Sequence, residues 1–255
     1  MLNKDDLCQW NLACTGRVAP RVAGARKPAA AAAWVLASGP DDDGVAVLTL
    51  NRPEKKNALS IALREQAVAV LARLADDTHV KALVIAGSGG CFSAGFDVRE
   101  FAVTEPGHTA RLWRSADRFH HAVHRFPVPV IAAVDGIAYG GGFDLAVLCD
   151  LRVATHRAAF AHPEAAQGPV VYGPLHDLVG GAVARELVLT GRMVDAAEAL
   201  RLHLVTEVTD PAELTCRAMQ LARQVSRAPR GVLARNKAKF TTRSGISPDA
   251  PTLDL

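Results

Sequence analysis

Three consecutive glycines, Gly140, Gly141 and Gly142, run directly into the apolar stretch FDLAVLC, residues 143–149. The run before them, residues 128–134, is rich in Val, Ile and Ala and reads as a buried strand. A glycine turn feeding a helix leaves the first backbone N–H groups unpaired at the positive end of the helix dipole. Such a site stabilises negative charge, either a bound anion or an oxyanion that develops during reaction. Asp144 follows Gly141 by three residues, so on a helix its carboxylate shares a face with that N–H. A donor and a base would then address one spot. Taken alone, the glycines are equally consistent with close helix–strand packing. No Gly-Lys-Ser/Thr follows them and no GxGxxG spacing is present, so a Walker loop is excluded.

A second stretch repeats the design. KALVIA, residues 81–86, reads as a buried strand, and SGGCFSAGFDVREF follows. Gly89, Gly90 and Gly95 break it, and Asp97 is placed to cap what comes next. Further on, His120, His121 and His124 lie in one helical segment. The i, i+4 spacing suits a metal, but no carboxylate or Cys supports one, so no metal site is assigned.

The chain is 255 residues long, 49% hydrophobic and 22% charged, the balance of an ordinary globular protein of one large or two small domains. A net charge of +3 gives no case for nucleic acid, though it allows a local basic rim for a phosphorylated ligand. The five cysteines, Cys8, Cys14, Cys91, Cys149 and Cys216, are scattered and odd in number. They form neither a disulfide framework nor a zinc pair, which points to a reducing cytoplasm. No stretch reaches the roughly 18 apolar residues of a membrane span.

The elements that must position these residues follow in order. Residues 1–33 carry basic side chains and an alanine run without apolar period, and read as a mobile extension. Residues 34–38 and 45–50 form a hairpin around GPDDDG. PEKKNAL, residues 53–59, is a basic loop, and Ser60 caps a helix to about Asp76 with Leu63, Ala67, Leu71 and Leu74 on one face. Residues 98–107 read as mobile and 111–125 as a helix. Residues 151–155 and 158–162 read as short strands, and 165–180 as irregular. Helices are expected over 182–190, after Asp195, over 212–227 and over 230–243, with a strand at 204–208 and a polar tail at the end. Repeated strand–helix crossovers with helices in the last third give an α/β fold: a parallel sheet followed by a helical region.

Five pieces in this order, LTLNRPEKKNAL, ALVIAGSGGCFSAGFDVREF, VPVIAAVDGIAYGGGFDLAVLCDLRVAT, FAHPE and ELVLTGRMVDAAEALRLHLVTEV, resemble the crotonase, or enoyl-CoA hydratase/isomerase, superfamily over about residues 34–243. The resemblance implies a crotonase-like spiral of ββα units over residues 34–190. It also implies a C-terminal helical, oligomerisation region over 191–255 and a homotrimer or hexamer. It further implies an acyl-CoA thioester as substrate, with coenzyme A arriving as part of it and no separate cofactor.

Carried over residue by residue, the backbone N–H groups of Phe96 and Gly141 become the donors to a thioester enolate. Glu164, in the Pro-Glu motif, becomes the main acid/base, and Asp144 stands where hydratases have a first glutamate. A surface or capping carboxylate is the plainer reading of Asp144. His162 is placed to orient Glu164, although a packed or exposed histidine is the plainer reading. Lys56, Ala58, Ala94, Asp97 and Arg99, with Arg52 and Lys55, fall in loops the family uses for the coenzyme. The chain departs from the family at residues 165–180, which look short, and after Arg243, where many members have another helix. The resemblance implies hydration or double-bond shift of an enoyl-CoA. Decarboxylation, thioester hydrolysis, ring formation and non-catalytic binding of acyl-CoA or of a partner subunit remain as alternatives.

Overall fold

A computed structural model describes residues 33–255. The extension expected at 1–33 therefore lies outside the described residues, except for Ala33. Six strands form the main sheet: β1 (Val35–Ser38), β2 (Val45–Leu50), β3 (Ala82–Gly87), β4 (Val130–Val134), β6 (Leu151–Thr155) and β9 (Glu207–Thr209), in the order β1-β2-β3-β4-β6-β9. β1 and β2 are the antiparallel hairpin, with Val35 opposite Leu50, and every later pair in the sheet is parallel. A second sheet, β5 (Ile137–Tyr139), β7 (Ala159–Ala161) and β8 (Val194–Asp195), leaves the first one just beyond β4. Parallel pairing requires crossovers, and the helices supply them.

Local chemistry explains most of the helices. In α1 (Ile61–Asp76) the Ser60 hydroxyl accepts from the Leu63 N–H at 3.3 Å, and Leu63, Ala67, Leu71 and Leu74 are all buried. With α2 (His108–His124), α1 covers one face of the main sheet through Leu63, Leu71, Phe119 and Val123. The other face is covered by α7 (Leu214–Ser226), whose Leu214, Ala218, Met219 and Ala222 meet Val47, Val84, Ile131 and Val153. α3 (Gly141–Leu148) packs against β5 and α2, with all eight residues buried. α5 (Gly181–Thr190) and α6 (Ala196–Arg201) follow, and Asp195 caps α6 by accepting from the Glu198 N–H at 2.8 Å. α8 is Arg230–Arg243, the range expected from the sequence. Among the described residues no helix is long and apolar enough to cross a membrane.

Three expectations need correction. Residues 98–102 form a 3-10 helix, capped by Asp97, which accepts from the Arg99 N–H at 3.3 Å. Residues 165–180 contain a helix, α4 (Gly173–Val179), because Pro174 falls in the first turn, where a missing N–H costs nothing. The final strand is Glu207–Thr209 rather than 204–208, since Leu204 and Val205 are buried core residues ahead of the sheet.

Candidate active site

The first glycine loop is held in place from two sides. Asn57, fully buried, donates to the carbonyls of Ser88 at 2.9 Å and Cys91 at 2.7 Å, and accepts from the Arg52 N–H at 2.8 Å. Its φ of +53° is a left-handed conformation that Asn tolerates better than most residues. On the other side the loop pairs with β5. The Ser93 N–H donates to the Ile137 carbonyl and the Tyr139 N–H to that of Ser93, each at 3.0 Å. This pairing brings residues 93–96 beside the start of α3. At Gly95 (φ +87°) a Cβ would lie 2.5 Å from the Tyr139 carbonyl oxygen and 3.1 Å from the Gly141 nitrogen, so only glycine permits the approach.

α3 starts just beyond Gly140, whose N–H donates to the Ala161 carbonyl at 2.9 Å in the second sheet. The Gly140 carbonyl accepts from the N–H groups of Phe143 and Asp144. Glu164 arrives from the 3-10 turn Pro163–Ala166, and its carboxylate lies against Gly140. Burial pushes the Glu164 pKa up from its ordinary 4.5. Its own backbone N–H and His162 oppose the shift, and the Asp144 charge adds to it.

Phe96, Gly141 and Glu164 share the wall of one cavity of about 300 Å³, together with Tyr139 and Phe101. Among the described residues, neither the Phe96 N–H nor the Gly141 N–H enters a hydrogen bond. The Phe96 ring backs the cavity. The buried Arg64 guanidinium stands 4.7 Å from its centroid and the His120 ring stacks on it at 6.1 Å. A Cβ on Gly141 would come within 3.1 Å of the same ring. Asp144 does not join this group. It is buried, its Oδ1 lies 2.8 Å from His162 Nε2, and it is not part of the cavity wall. Asp144 stands on α3 three residues after Gly141, and its carboxylate is engaged by His162. Sequence reasoning missed Asn57, Arg64 and the Asp144–His162 bond. Their partners lie far off in the chain, and only an Asn beside a helix cap hints at a turn.

Residues 41–251 match the family model described as enoyl-CoA hydratase/isomerase. The chain belongs to this family, within the crotonase superfamily. It is similar to the short-chain-enoyl-CoA hydratase of Clostridium acetobutylicum, 36% identical across 72% of this chain and 73% of that protein. It is also similar to 4-chlorobenzoyl coenzyme A dehalogenase-2 of an Arthrobacter species, 35% identical across 73% of this chain and 71% of that one. The solved enoyl-CoA hydratase of Bacillus anthracis shares the fold with a TM-score of 0.78, at 28% identity and 84% coverage of each chain.

Enoyl-CoA hydratase/isomerase family membership directs attention to the loops flanking the cavity. Ala94 is part of its wall, and its N–H donates to the Lys56 carbonyl at 2.9 Å, which ties the basic loop to the site. Ala58 is buried beside it, whereas Lys55, Lys56 and Arg99 are exposed. Asp97 is buried and paired with Arg52 at 2.7 Å. Burial works to raise the Asp97 pKa, but the bonds from Arg52 and the Arg99 N–H outweigh it and hold the carboxyl below its usual value. Arg52 and Asp97 thus bind each other, Arg99 Nε also lies 3.9 Å from Asp97 Oδ1, and Lys55, Lys56 and Arg99 are exposed cations of this rim. Of the four histidines in α2, His120 is fully buried, with neither ring nitrogen partnered among the described residues. His121 lies 2.8 Å from the Ala250 carbonyl and His124 lies 3.1 Å from the Ser244 hydroxyl.

Proposed function

We propose that this protein acts on an acyl-CoA thioester, shifting the double bond of an enoyl-CoA or hydrating it through a thioester enolate. The observation that carries this reading is the single cavity onto which Phe96, Gly141 and Glu164 open, with both N–H groups unengaged. The thioester carbonyl takes its place between the two N–H groups. Removal of a C2 proton then puts negative charge on an oxygen that already has donors, and losing one such donor costs roughly 100- to 1,000-fold. Glu164 removes the proton, and a carboxylate with a raised pKa suits the work of accepting and returning it. In the isomerisation of a 3-enoyl thioester, the proton leaves C2 and returns at C4, so one carboxylate suffices. In hydration the same group must activate water for C3 and supply a proton to C2. With Glu164 the sole carboxylate in the cavity wall among the described residues, isomerisation and slow hydration are favoured over fast hydration.

The relatives support the substrate class, since one is named for a short-chain enoyl-CoA and another for 4-chlorobenzoyl coenzyme A. Coenzyme A belongs to the substrate and no separate cofactor is required. In this reading the exposed Lys56 and Arg99 meet its phosphates. Exposed Leu189, Met193, Val232 and Phe240 support a homotrimer or hexamer assembled through the helical last third.

The test is turnover of crotonyl-CoA and of a 3-enoyl-CoA by the wild-type chain and by Glu164→Gln. The variant should lose about 1,000-fold or more in kcat while binding acyl-CoA with nearly the same affinity. Full turnover by the variant refutes the role of Glu164. Binding without turnover by the wild type makes the protein a non-catalytic acyl-CoA binder.

A further inference from the structure

α3 presents the Gly141 N–H at its first residue and Asp144 three residues later. Glu164 belongs to a separate piece of chain, the turn that follows β7. Two bonds join these pieces. One is the backbone bond from the Gly140 N–H to the Ala161 carbonyl. The other joins side chains, His162 Nε2 to Asp144 Oδ1 at 2.8 Å, and both are buried. The carboxylate form of Asp144 only accepts, and the bond to it takes the tautomer of His162 that carries hydrogen on Nε2. Nδ1 has no partner among the described residues, which leaves Asp144 as the group that sets the ring's orientation. The ring also packs on Phe143 with centroids 4.7 Å apart. The carbonyl of His162 accepts from the Ala165 N–H at 3.0 Å and so opens the turn that bears Glu164.

We propose that His162 and Asp144 form a positioning brace that fixes the Glu164 carboxylate relative to the Gly141 N–H, and that Asp144 itself transfers no proton. The inference rests on Glu164 being the acid/base. Asp144 is buried, is not among the residues that line the cavity, and has one oxygen already engaged by His162. Glu164 stands two residues from His162, so a swing of the His162 backbone carries the carboxylate with it. A displacement near 1 Å at a reacting group costs on the order of 100-fold in rate. The brace therefore acts on kcat rather than on acyl-CoA binding, which uses other surfaces of the site.

The test uses the full chain with Asp144→Ala, His162→Ala, the double variant and Asp144→Asn. The two alanine variants should each lower kcat by on the order of 100-fold with KM little changed. The double variant should be no worse than either, as for one shared interaction. Asp144→Asn keeps an oxygen that accepts from Nε2–H, so it should lose less than about 5-fold, the scale of one weakened hydrogen bond. Amide hydrogen exchange supplies a readout independent of turnover. Residues 141–144 and 163–166 should exchange faster together in the alanine variants and not in Asp144→Asn. If Asp144→Asn is as inactive as Glu164→Gln, Asp144 transfers a proton and the proposal fails. Unchanged kcat and unchanged exchange in the alanine variants also overturn it. If the wild type turns over no acyl-CoA, the functional reading fails, and the exchange pattern still decides for or against the brace.

Discussion

The carboxylate of Glu164 rests against the bare Cα of Gly140: a Cβ built there would stand 2.7 Å from Oε1 and 3.1 Å from Oε2. Gly140 also adopts φ +51° and ψ −127°, a conformation open almost only to glycine. This one residue links the α3 start to Glu164. Gly140→Ala should push the carboxylate away and lower kcat by on the order of 100-fold. The strained backbone should also cost about 1–3 kcal/mol of stability. Steady-state kinetics and urea unfolding read the two effects separately. An unchanged kcat would mean that the exact seat of the carboxylate does not matter.

The raised Glu164 pKa has two consequences of opposite use. As a base, Glu164 works ionised, so kcat/KM should rise with pH through a value above the ordinary 4.5. For stability the sign runs the other way. A carboxyl whose folded pKa exceeds its unfolded value contributes stability below the unfolded value and loses it as pH rises through the folded one. Glu164→Gln should therefore match the wild type in stability at pH 4 and exceed it at pH 7. Denaturant titrations at both pH values check this, and a variant less stable at pH 7 would contradict it.

His120 predicts the acid side of the stability curve. Burial is the main cause that brings its pKa down from 6.5 to about 4, with Asp144 opposing and Arg64 adding to the shift. A depressed folded pKa gives stability that is present above 6.5 and is lost as pH falls towards 4. The full window corresponds to about 3 kcal/mol. His120→Leu should flatten the fall in melting temperature between pH 7 and pH 4 relative to the wild type. His124, brought to about 4 first by burial and then by Lys237, remains in the variant and keeps part of the slope. A variant with the full wild-type slope would show that His120 does not titrate in this window.

Much of the fold was legible because it is local. Ser60 and the Leu63, Ala67, Leu71, Leu74 face announce α1 without help from the rest of the chain. α4 was not legible, since Gly173 and Pro174 look like breakers. The N–H groups of Tyr172 and Gly173 donate to the Leu255 carbonyl, at 2.7 and 3.1 Å, a partner no local pattern encodes. The site divides the same way. Gly141 was reached through the glycine turn at a strand end, and Phe96 and Glu164 through the family resemblance; all three line one cavity. The bond between Asp144 and His162 was not legible, because it depends on where the second sheet sets His162 against α3. Asn57 was missed for the same reason: its bonds reach residues 31 and 34 positions away.

The central claim is that Glu164 removes a C2 proton from a thioester whose carbonyl is held by the Phe96 and Gly141 N–H groups. Solvent deuterium incorporation at C2 of a bound acyl-CoA, followed by NMR in D2O, tests it without requiring a complete reaction. The wild type should label C2, and Glu164→Gln should label it at least about 100-fold more slowly while still binding the thioester. Equal labelling by the two proteins, or none by a wild type that binds the thioester, would contradict the account.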